Sequence, residues 1–194
     1  MADLDRAAIQ EFVDACRGTD VEAFRYATVG LSNDGVSPLA WRYAMQAVAL
    51  TQPRMAPELR DWFSLFWFSM PVAACVVDED ILRSALRVLL PPYRGPAVRL
   101  YRGTSAMERR PYGLSWSTDP ASALRHAENH TKTTGEVSVV LETMALPEAI
   151  ISAVSETADI HSGSHEREYI VDGDRLDGVA CISSFFLSSW ASKA

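Results

Sequence analysis

Pro91-Pro92-Tyr93-Arg94-Gly95-Pro96-Ala97-Val98-Arg99-Leu100-Tyr101-Arg102-Gly103 is where the chain changes its period. Just upstream, Ile81, Leu82, Ala85, Leu86, Leu89 and Leu90 form one helical stripe that starts near Asp78. The paired prolines stop it, because proline brings no amide hydrogen to a helix interior. Just downstream, Val98 and Leu100 alternate with Arg99 and Tyr101, the two-residue period of a strand with one buried face. Working back from the change, Leu4, Ile9, Phe12, Val13 and Cys16 recur at helical spacing. Ser37-Pro38 reads as an N-cap with proline at the first helical position, opening a helix to about Pro53, and a further helix covers about Ala56 to Met70. Working forward, Asp119-Pro120 caps a short helix with Ala123, Leu124 and Ala127 on one side. Val137 to Leu141, Ile150 to Val154, Tyr169 to Val171 and Val179 to Leu187 read as strands. The expected fold is therefore α+β. A helical N-terminal lobe of about four helices (1–92) packs on a compact, mostly antiparallel β core (96–194), as one structural unit joined through Pro91 to Pro96.

The 194 residues suffice for one domain or two intimate lobes, and a 48% hydrophobic content suffices for a packed core. Eighteen basic against 25 acidic residues leave a net charge of −7 and no basic run longer than Arg109-Arg110. That argues against a dedicated nucleic-acid surface or an anionic-membrane binder, which need clustered Lys and Arg, but not against one phosphate-bearing small molecule. Cys16, Cys75 and Cys181 match neither a disulfide framework nor a metal finger, and the acidic start of the chain lacks the pattern of a signal peptide. Trp62 to Val77 is the longest apolar stretch. It contains Ser64, Ser69 and Pro71 and reads as a buried helix and a turn, shorter than the roughly 18 residues of a membrane span. The expected location is the cytosol.

Three short motifs carry chemistry. Tyr101-Arg102-Gly103 ends a strand on which Val98, Leu100 and Arg102 share a face. The guanidinium there suits bidentate contact with phosphate oxygens, and Gly103 leaves room for close approach. Taken alone, Arg102 reads first as an ordinary strand-end arginine paired with an acid. Ser115-Trp116-Ser117-Thr118 precedes Asp119-Pro120. Ser117, Thr118 and Asp119 fit helix capping, whereas Ser115 lies too far ahead for it. Glu166-Arg167-Glu168 runs into Tyr169-Ile170-Val171. On a strand, Glu166 and Glu168 share a face about 7 Å apart, as a solvated edge or as a paired-carboxylate site.

The order Tyr-Arg-Gly, Ser-x-Ser-Thr, Glu-x-Glu resembles the mono-ADP-ribosyltransferases of the arginine–serine–glutamate class, which include cholera-like and clostridial toxins. The latter also place a helical lobe before the arginine strand. Residues 101–119 look, too, like proteins common in phages and prophages. The resemblance implies an ADP-ribosyltransferase-type core and NAD as substrate, with no metal. It implies that Arg102 holds the NAD phosphates within a surface of Tyr101, Gly103, Ser115, Trp116 and Ser117. Ser115 steadies the site, Glu168 is the catalytic glutamate and Glu166 prepares the acceptor. Ser117 competes with Ser115 as the motif serine. The Arg102–Ser115 interval is shorter than in most toxins, and no Phe lies between Asp119 and Glu168, so Trp116 or Tyr112 is left to stack on nicotinamide or to serve as core.

The function this implies is NAD-dependent transfer of ADP-ribose to a macromolecular acceptor such as a protein arginine, as a phage effector or toxin in a bacterial or phage-infected cytosol. Two alternatives stand beside it. One is an NAD glycohydrolase using the same Arg102 and Glu168, and the other is a catalytically silent module that binds a partner. A retaining glycosidase would also use paired carboxylates but has no evident need of Arg102. His126 and His130, and His161 and His165, are each four apart, yet no cysteine lies near either pair, so they read as surface or loop residues rather than zinc ligands.

Overall fold

The computed structural model describes residues 3–32, 36–37, 39–69, 78–108, 112–153 and 168–186. The chain divides into two units, Met1–Pro92 and Tyr93–Ala194, so the boundary falls inside the proline-rich linker expected from the sequence.

Five α-helices occupy the described part of the first unit: α1 Asp3–Ala15, α2 Val21–Gly30, α3 Leu39–Thr51, α4 Pro57–Ser69 and α5 Glu79–Leu89. Four were expected, and α2 is the addition. Asp20 starts it by accepting hydrogen bonds from the amides of Glu22 and Ala23 at 2.9 and 3.1 Å, which satisfies two of the helix's unpaired N–H groups. Asp78 does the same for α5, whose predicted stripe is buried at Leu82, Ala85, Leu86 and Leu89. The core of this unit is aromatic. Phe24 is wholly buried and stacks on Phe12 with ring centroids 5.7 Å apart, while the edges of Trp41 and Trp62 meet Phe12 and Phe24, each at 5.7 Å. Of the stretch from Trp62 to Val77, the first eight residues complete α4 and the rest lie outside the described residues.

The second unit is a six-stranded sheet with α6 Pro120–Thr134 against one face. The strands are β1 Val98–Ser105, β2 Ser115–Ser117, β3 Ser138–Ala145, β4 Ile150–Ala153, β5 Glu168–Val171 and β6 Ala180–Phe185. They lie in the order β4-β5-β2-β1-β3-β6, and each neighbouring pair is antiparallel. β1 and β3 are zipped along their full lengths, from Val98 opposite Ala145 to Ser105 opposite Ser138. Pleating then sorts the side chains. Leu100, Trp116, Leu141, Ala145 and Val171 form the main core on one face, while Val140, Tyr101 and Phe185 meet Ala123 and Ala127 of α6 on the other. Asp119 caps α6 at its start, and Gly135 ends it with φ 76°, a left-handed conformation that glycine adopts without a Cβ penalty.

Candidate functional site

β2 sits between β5 and β1 but is joined to them unequally. Toward β5 the register is complete, with Ser115 opposite Ile170, Trp116 opposite Tyr169 and Ser117 opposite Glu168, and the Val171 amide donates to the Leu114 carbonyl at 2.8 Å. Toward β1, Tyr101 opposite Ser117 is the single register pair. One more antiparallel step would bring Ser115 opposite Gly103. Instead the strands part, and the side chain of Arg102 fills the opening, its Nη1 donating to the Ser115 carbonyl at 2.8 Å. Gly113 makes the space. A Cβ there would lie 2.3 Å from Arg102 Nη2.

The rest of the guanidinium is held by Glu108. Arg102 Nε donates to Oε2 at 3.4 Å and Nη2 to Oε1 at 3.2 Å. The Gly113 amide donates to the same Oε1 at 2.8 Å, and the Thr104 hydroxyl donates to Oε2. One carboxylate thus accepts from four donors, and three of the five N–H groups that a guanidinium carries are committed to the protein itself. With side chains only 21% and 19% exposed, this ion pair is screened far less than a surface pair.

Pleating places Arg102 with Leu100 and Thr104 on the main-core face, and Ser115, Ser117 and Glu168 on the face that carries α6. Because Arg102 lies in the opening between strands, it nevertheless borders the same cleft of about 260 Å³ as Ser115, Ser117 and Glu168, with Ala123 and His126 of α6 forming the opposite wall. Within the cleft the Ser115 hydroxyl donates to Glu168 Oε1. Arg102, Ser115 and Glu168 therefore form one connected path on three adjacent strands: guanidinium to carbonyl, and hydroxyl of the same residue to carboxylate.

The two serines proposed for the motif have different contacts. Ser115 touches Glu168, whereas Ser117 Oγ accepts from the Asp119 amide at 3.0 Å and helps turn the chain into α6. Tyr101 borders the cleft from β1 and leans on Ala123 and Ala127. Trp116 borders it too, but the ring is 1% exposed and its Nε1 donates to the Gly113 carbonyl at 2.9 Å, so it belongs to the core, with Tyr112 edge-on at 6.3 Å. Gly103 borders the cleft as well, and its lack of a side chain also admits α6, since a Cβ there would lie 2.0 Å from the Ala123 carbonyl oxygen and 2.6 Å from the Ala127 amide. Glu166, with Arg167, His161 and His165, lies outside the described residues.

Two residues of this neighbourhood were not singled out as site residues in the sequence. Glu108 stands beside Arg109-Arg110, where a lone acid reads as surface charge, and no local pattern reveals that Arg102, Thr104 and Gly113 converge on it. His126 was read as a surface histidine. It is exposed, yet its position three residues after Ala123 puts it on the face of α6 turned to the cleft, a signal the helical period did contain. Its partner in the pair, His130, instead meets Ser138 Oγ through Nδ1 at 3.0 Å. Among the described residues there is no group of three or more His, Cys, Asp or Glu able to hold a metal ion, and no helix long and apolar enough to cross a membrane.

Comparison with known proteins gives no match: no family model fits the chain, and neither the curated proteins nor the solved structures contain a significant relative.

Proposed function

We propose that this chain cleaves NAD at the nicotinamide–ribose bond and transfers ADP-ribose to a macromolecular acceptor, on a core of ADP-ribosyltransferase type. The observation that carries the reading is the direct hydrogen bond from Ser115 to Glu168 in a cleft that Arg102 also borders. These are the three residue types of the motif order, in that order along the chain and on three strands, with Arg102 and Glu168 each hydrogen-bonded to Ser115.

The arrangement suits the chemistry. Nicotinamide is a cationic leaving group, so the bond from ribose C1′ to its nitrogen breaks with the electron pair going to the ring, and no general acid is required. The ribose left behind is oxocarbenium-like. Ser115 holds Oε1 of Glu168, which fixes the carboxylate beside the developing positive charge, where it also accepts from a ribose hydroxyl. The acceptor then forms its bond to C1′ and releases a proton. A cleft of about 260 Å³ suits the nicotinamide ribose end rather than the whole dinucleotide. Arg102 meets a phosphate through the N–H groups not directed at Glu108 and Ser115. The proposed setting is the cytosol of a bacterium or of a phage-infected host.

Labelled NAD incubated with the protein and a cell lysate tests this. Nicotinamide release with label in a macromolecular band is expected, and Glu168→Gln should slow release by about 100–1,000-fold, the scale of a lost preorganised electrostatic contact. Label recovered as free ADP-ribose would make the protein a glycohydrolase with the same residues. No NAD consumption by the parent, or full release by Glu168→Gln, would end the proposal.

A further inference from the structure

The connected path through the site does not end at Arg102. We infer that Glu108 is the positioning residue of this cleft: it sets the guanidinium, the guanidinium sets the Ser115 carbonyl, and Ser115 in turn aims the carboxylate of Glu168. Three observations converge on it. The β1–β2 ladder stops at Tyr101 opposite Ser117, so no described strand pair with β1 fixes Ser115, and the Arg102 side chain supplies the bond instead. Arg102 alone would be a poor strut, since a long side chain with many rotamers holds a carbonyl only if its far end is anchored. Glu108 is that anchor, taking Nε and Nη2 together so that Nη1 points the other way, toward Ser115.

Glu108 is itself built in place. Its two oxygens accept from the Thr104 hydroxyl and the Gly113 amide as well as from Arg102, and Gly113 is the residue whose missing side chain leaves room for the guanidinium. A displaceable counter-ion would have only Arg102 for company. With Thr104 on β1 and Gly113 ahead of β2, the carboxylate ties together both sides of the opening at which the two strands part. Shifting Ser115 by a fraction of an ångström moves its hydroxyl relative to Glu168, and displacements of about 1 Å remote from the chemistry can cost about 100-fold in rate.

The kinetic part of this inference rests on the reading of the cleft as an NAD-cleaving site, and the spectroscopic part does not. In the ligand-free full chain, the Arg102 Nε–H should give a slowly exchanging, displaced nitrogen–proton NMR signal, assigned by its loss in Arg102→Gln. It should collapse into the bulk arginine signals in Glu108→Gln while the remaining amide spectrum of the sheet persists. With NAD, Glu108→Gln should lower kcat for nicotinamide release by about 10–100-fold, with a rise in KM no larger than that of Arg102→Gln, because the guanidinium that meets the phosphate is the one Glu108 holds. The double variant with Arg102→Gln should be no slower than the worse single variant. A parent without NAD cleavage would remove the proposed function and leave the NMR comparison to decide Glu108. An unprotected Arg102 signal in the parent, or one unchanged in Glu108→Gln, overturns the inference. So does tighter NAD binding with an undiminished kcat in Glu108→Gln, which would mark Glu108 as a competitor for the arginine fork.

Discussion

The helical unit and the β unit bury different things. Among the described residues of the first, the interior is rings on rings: Phe12, Phe24, Trp41, Phe63 and their neighbours, with few polar groups among them. Its buried arginine, Arg83, pairs with Glu79 at 3.2 Å and with Asp80, acids one helical turn away on the same helix. In the second unit the half-buried arginine reaches Glu108 across a loop and Ser115 on another strand. Ion pairs between residues one turn apart on a helix contribute to the stability of that helix. A polar network that links separate strands holds groups in relative position, and it is there that three donors and acceptors converge on a cleft.

The largest expected effect lies in the aromatic interior. Phe24 has no exposed surface and touches Phe12, Trp62 and Phe63. Phe24→Ala should cost about 3–5 kcal/mol, from lost transfer energy and an unfilled cavity. Urea titration followed by circular dichroism reads this directly. A loss under about 1 kcal/mol would mean that the unit is loosely packed and that its contrast with the β unit is false.

A smaller effect separates two glycines. Gly103→Ala should destabilise by about 1–3 kcal/mol, because the added carbon meets backbone atoms of α6 that cannot move aside singly. Gly30, at the end of α2, has nothing within 4 Å of the same position, so Gly30→Ala should be neutral or stabilise by up to about 1 kcal/mol. Thermal melts of the two variants give opposite signs if α6 is pressed on β1 as described. Equal shifts would break that account.

The sequence made elements legible where one periodicity ran uninterrupted. The stripe of α5, with Asp78 before it and Pro91-Pro92 behind, needs no tertiary information. α2 was overlooked because only Phe24 and Ala27 of its apolar residues are buried, too few to make a stripe, although Asp20 followed by Glu22 is a readable start. The three-residue β2 is too short for any period, and only its pairing with β5 makes it a strand. Around the cleft, Arg102, Ser115 and Glu168 had been singled out by type and order. Glu108 was not, because the contacts that gather on it depend on a gap between strands that one-dimensional spacing does not record.

The smallest effect tests whether capping in the β unit is as local as in the helical one. Asp119 accepts from the Ala121 amide at 2.9 Å, the Ser122 amide at 3.2 Å and the Ser122 hydroxyl at 3.0 Å. These bonds, the Ala121 amide first, hold its carboxyl below the usual value of 3.8. A depressed carboxylate pKa means that the folded state favours the charged form. Its contribution is therefore fully present above the unfolded value and fades as pH falls through the lower, folded one. Asp119→Ala should cost about 1 kcal/mol near pH 7. The gap between parent and variant should shrink below about pH 4, where the unfolded chain begins to take up the proton. Asp119→Asn keeps an acceptor for the amides and should retain most of the stability near neutrality with a flatter acid limb. Melting curves of the three proteins down to about pH 3 decide it. A gap between parent and Ala variant that holds constant into acid would show that Asp119 acts through packing at the β2–α6 turn rather than through its charge.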